Sequence, residues 1–151
     1  MPAERYGVRL QSLLLADYAN VREGTLNVVS AGITRVGLEG FPGHVPAHVA
    51  MQFYIPPDGF NTLHNGAMTV KYVNGEPIGR AEFLIHMAEP EAETFHPGEA
   101  MYFPLVIPIQ PLAFPRPGQV DVNISINGSH CGSLTFWILE PATPPGQIDG
   151  D

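Results

Sequence analysis

The stretch QVDVNISING, residues 119–128, constrains the fold more than any other part of the sequence. Val120, Val122, Ile124 and Ile126 recur at every second position, with Asp121, Asn123, Ser125 and Asn127 between them. A strand sends alternate side chains to opposite faces, so this pattern describes a half-buried antiparallel strand. It stops at Asn127-Gly128, the pair best suited to the positive φ angles of a tight hairpin turn. SLTFWIL then returns over 133–139, and Gln119–Leu139 reads as a β-hairpin.

The same period predicts strands near Val8–Ala16, Thr25–Val36, His48–Ile55, Ala67–Val73, Ile78–Met87, Met101–Ile109, Val120–Ile126 and Ser133–Leu139. Turn chemistry separates them. IPPDGFN breaks the chain after the third, NGEP links the fourth to the fifth, and AEPEAETFHPGE forms a long acidic loop. In MYFPLVIPIQP, Pro104 and Pro108 share one phase, so both missing N–H groups lie on one side of the strand. Such a strand pairs through its other side and belongs at a sheet edge. About eight short strands without a convincing amphipathic helix predict an all-β, two-sheet antiparallel β-sandwich, immunoglobulin-like or similar. A jelly roll or flattened barrel is the alternative. One domain over 1–140 is expected, followed by a flexible Pro-rich acidic tail over 141–151.

Charge narrows the function classes. The net charge is -8, Lys71 is the only lysine, and the arginines stand singly along the chain. Nucleic-acid binding draws on a clustered basic face, and anionic membrane surfaces demand the same, so neither partner is expected. Cys131 is the sole cysteine, which excludes an internal disulfide and with it the bridge of true immunoglobulin domains. MPAERYGVRLQS carries no long apolar run, so no secretory signal is expected and the expected compartment is the cytoplasm.

Asp17 ends the apolar run of LLLADYANVREGTLNVV. Asp and Asn side chains cap backbone N–H groups in turns, and Asp17 and Asn20 are read in that role, with Gly24 supplying a positive φ and Asn27, early in the second strand, placed to pair back across the loop. A catalytic Asp17 would need an acid–base partner, and its neighbours offer only Tyr18 and Glu23. LLADYANVREGTLNVVSAGITRV, together with FPGHVPAHVAMQFYIP and FPRPGQVDVNISINGSHCGSLTFWI, resembles a family of small, uncharacterised bacterial proteins, a domain of unknown function. That resemblance covers most of the chain. It implies an all-β fold and no assigned activity.

Other chemistry is sparse. His44 and His48 lie in GHVPAH, where the helical spacing logic of a zinc HExxH site does not apply. No serine sits in a Gly-x-Ser-x-Gly elbow, and adjacency of His130 to Cys131 is the wrong closeness for a catalytic pair. The acidic loop does not follow the ligand spacing of an EF-hand. No catalytic residue, cofactor or metal ligand is therefore assigned. Apolar residues on both phases of a strand are more informative, because a sandwich strand needs only one apolar face. Trp137, Leu139, Leu13 and Leu15 are the expected interface residues unless a loop or strand end covers them. The expected function is that of a non-enzymatic protein-interaction or accessory module that binds a protein partner or self-associates. The alternatives are an apolar small-ligand binder using Phe41, Phe53, Phe60 and Tyr54, and a metal-dependent hydrolase using His44, His48 and His64 or His130.

Overall fold

A computed structural model describes residues 7–141. Nine strands run in the order β1 Arg9–Arg22, β2 Thr25–Ala31, β3 Arg35–Gly37, β4 His48–Ile55, β5 Leu63–Tyr72, β6 Pro77–His86, β7 Met101–Pro108, β8 Gly118–Ile126 and β9 Ser129–Leu139. They form two sheets, ordered β2-β1-β4-β7 and β3-β9-β8-β5-β6. The chain is an all-β sandwich, antiparallel except where β3 pairs parallel to β9. The expected tail over 141–151 falls, apart from Pro141, outside the described residues.

The β8–β9 hairpin forms as its alternation dictates. Val120, Val122, Ile124 and Ile126 are fully buried, and the turn takes Asn127 to φ 51° and Gly128 to φ 82°. They interleave with Phe136 and Ile138 of β9 and with Met51 and Phe53 of β4 in one main core. Each such buried side chain contributes on the order of 1.5–3 kcal/mol. Phe83 of β6 enters this core by crossing its register partner Gly66. A Cβ at residue 66 would collide with the Phe83 ring, so glycine lets the ring reach Phe53, 5.8 Å away between centroids.

Two expected boundaries move. The run Thr25–Val36 is not one strand, because Ser30 (φ 52°) and Gly32 (φ 86°) turn the backbone out of the sheet. The carbonyl of Leu15 accepts both Gly32 N–H and Ile33 N–H at this bend. The chain then leaves the first sheet as β2 and joins the second as β3. The first strand does not stop at Ala16 but continues to Arg22, and the turn is the two-residue Glu23-Gly24 loop. Both residues have positive φ, 52° and 74°, as the twist of a two-residue hairpin requires.

β7 is an edge strand, as its prolines predict. It pairs with β4 along its whole length, with Pro104 opposite Gln52 and Pro108 opposite His48. The outward phase of β4 also has cover. Ala50 is 1% exposed and joins Ala16 and Ala19 in a second, smaller cluster against Leu26, Val28 and Val106. The β1–β2 hairpin thus packs back on its own sheet, with β2 touching β4 and β7.

Candidate functional site

The expected turn residues divide. Gly24 takes the positive φ assigned to it. Asp17 and Asn20 do not build a turn, because both lie inside β1, where backbone pairing continues past them. The carbonyl oxygen of Asp17 meets His48 Nδ1 at 3.3 Å, and Asn20 Nδ2 donates to the Tyr18 hydroxyl. Asn27 lies directly across from Asn20 in β2, and its side chain donates back to the Thr25 carbonyl.

The expected interface residues divide too. Leu15 is 1% exposed in the main core and is unavailable to a partner; Leu13 is half-buried against the same core. The outward leucine of the triplet is Leu14. A register shift between Leu10 and Ser12 sets this phase, and an unbroken alternation does not reveal it. Trp137 and Leu139 stand where the alternation of β9 places them, Trp137 46% exposed and Leu139 half-buried.

Trp137 lies opposite Gln119 on β8 and Arg35 on β3. It borders a surface depression of about 390 Å³ with Tyr72, Val73, Arg116, Pro117 and Gln119. Val73 is 50% exposed and is held by its N–H to the Gln119 carbonyl at 2.9 Å. The other wall is pinned. The Tyr72 hydroxyl donates to the Arg116 carbonyl at 2.6 Å, while the Arg116 guanidinium lies 4.3 Å over the Tyr72 ring and pairs with Glu76. Tyr72 stacks edge-on against Phe114, and Phe114 against Phe136, which ties the wall to the core. Two apolar side chains therefore face solvent beside a wall with little freedom to rearrange. The sequence marks Trp137 through its two-phase apolar strand, but Val73 lies in the turn just past β5 and carries no such signal.

The histidines do not converge. His44 Nδ1 meets the Gln110 carbonyl, His48 stands edge-on to Tyr18, and His64 is fully buried with Nε2 donating to the Gly59 carbonyl at 2.9 Å. Among the described residues no three His, Cys, Asp or Glu side chains are grouped to hold a metal ion. The four expected ligand-lining aromatics are also dispersed. Phe53 is buried in the core, and its neighbour Tyr54 faces outward against Tyr102 and beneath Arg9. Phe41 and Phe60 pack at the core margin. Cys131 donates its thiol to the Ile124 carbonyl, and burial pushes it up to about 11, which suppresses the nucleophilic thiolate.

The family model described as "Family of unknown function (DUF6941)" matches residues 11–139. No curated protein matches the chain. One solved structure with partial likeness is the Pseudomonas fluorescens alkylpurine DNA glycosylase AlkC bound to DNA containing an abasic site analog. That likeness covers 87% of this chain but 30% of the glycosylase, at 12% identity and a TM-score of 0.41.

Proposed function

The chain belongs to DUF6941, a family of unknown function, and from its surface we propose a non-enzymatic protein-interaction module, an accessory subunit of a larger bacterial assembly. The observation that carries this reading is the exposure of Trp137 and Val73 in the lining of one depression whose wall is tied into the core. A half-exposed tryptophan beside a preorganised wall is the composition of an interface anchor, since binding energy concentrates in large side chains that lose little freedom on docking. The partner is a protein that presents an apolar side chain to Trp137 and Val73.

The test is recovery of tagged protein from its native host at moderate salt, beside Trp137→Ser and Val73→Ser variants. Both positions are surface-exposed, so the variants should keep the parent's unfolding midpoint. A stoichiometric partner that the parent retains and both variants lose supports the reading. A parent that retains no partner, or a partner held equally by all three, overturns it.

A further inference from the structure

We propose that two copies of this chain pair edge to edge through β6, in one antiparallel register centred on Ala81, to form a continuous ten-stranded sheet from two five-stranded ones. This interface lies at the opposite edge region of the sheet from Trp137, with β8 and β5 between, and does not depend on the reading above.

The four sheet edges differ in how they are closed. β7 carries Pro104 and Pro108, β3 is three residues long, and β2 folds against β4 and β7. β6 ends its sheet, and after a bulge at Ile78 it runs from Gly79 to His86 without proline or register break. An unpaired edge of that length offers a row of backbone donors and acceptors to another strand.

The side chains of β6 select the occupant. Arg80, Glu82 and Leu84 share the outward phase, giving the order positive, negative, apolar; Ile78 is the extra residue of a β-bulge between Pro77 and Gly79 and packs against the main core. A two-fold axis at Ala81 sets Arg80 opposite Glu82 of the second copy, twice. Sliding two residues one way brings Arg80 opposite Arg80, and sliding two the other way brings Glu82 opposite Glu82. Like charges directly opposed destabilise a strand pair, so both neighbouring registers are penalised. A one-residue slip would turn the second copy's core phase outward. Within one chain Arg80 and Glu82 bridge each other at 3.3 Å, with their side chains 57% and 75% exposed. An exposed pair of that kind is weakly held, so exchanging it between copies costs little.

Sedimentation velocity of the full chain over a concentration series tests the proposal, with R80E, E82R and an equimolar mixture of the two. The parent should form a dimer. Each reversal alone opposes like charges twice and should weaken the dimer roughly ten-fold or more. The mixture should restore it, because a chain with two glutamates then faces a chain with two arginines. No intrachain effect produces rescue by mixing. Should either variant fold poorly, A81C in a C131S background should cross-link under mild oxidation, and L84C, exposed and three residues from the axis, should not in the same background. A parent that remains monomeric throughout, a dimer indifferent to both reversals, or absence of rescue on mixing overturns the proposal.

Discussion

Cys131 shows how one residue's surroundings decide between chemistry and packing. Its thiol donates to Ile124 in the adjoining strand, and burial raises it from 9.0 to about 11. The folded state therefore favours the neutral thiol. That stabilising contribution is complete below about pH 9 and is lost as pH rises through about 11. At pH 8, iodoacetamide should alkylate the native protein roughly ten- to a hundred-fold more slowly than the urea-unfolded chain. Comparable rates would show an accessible, activated thiol. Asn127 has a different double duty. It takes the positive φ of the β8–β9 turn, and its side chain accepts Asn65 N–H at 3.0 Å while its amide meets His64 Nδ1 at 3.2 Å. Asn127→Gly keeps the turn and deletes only these bonds, so it should cost about 1–3 kcal/mol in urea titration. An unchanged midpoint would reduce Asn127 to a turn residue. Its turn role was legible in the Asn-Gly pair, whereas its link to His64 spans 63 positions and has no local signature. The Leu13–Leu15 triplet was illegible for another reason: three consecutive leucines fit either phase, and the shift beside Ser12 chooses.

At the scale of elements, strict alternation located β8 and β9, and shared proline phase located the β7 edge. Both are local patterns. The split of β2 from β3 was hidden, because Ser30 adopts a positive φ that its residue type rarely marks. The extension of β1 through Asp17 and Asn20 was hidden because polar residues on an exposed hairpin look like loop residues. The parallel β3–β9 pair joins positions about a hundred residues apart, beyond the reach of any window. The prolines of β7 guard that edge. With β7 paired to β4 throughout, the missing N–H groups lie on its outer side, where another strand would dock. Pro104→Val with Pro108→Val restores two outward donors on an apolar edge. The double variant should aggregate or associate at concentrations where the parent does not, measured by light scattering against time. Equal scattering would mean that the edge is guarded by something other than proline.

On the scale of the whole molecule, two apolar clusters of unequal size share the β1–β4–β7 sheet. The main core joins both sheets and includes Phe53, Phe114 and Phe136 fully buried. The second is built on Ala16, Ala19 and Ala50, with only Leu26, Val28 and Val106 packed against them. Alanine buries little area, so the hairpin gains far less from docking than the sandwich gains from closing. Its tip lies beyond the part of β1 that pairs with β4, since that register ends at Ala16 opposite His48. The hairpin can therefore open while the sandwich stays intact. Native-state hydrogen exchange should show Ala19 and Val28 amides exchanging through an opening of lower free energy than those of Val122 and Ile124. Ala50→Asp buries a charge beneath the hairpin alone, so it should lower protection in β1 beyond Ala16 and in β2 more than in β8. Uniform loss of protection across all nine strands would show instead that the two clusters unfold as one unit, with the hairpin as much a part of the sandwich as the sheets it bridges.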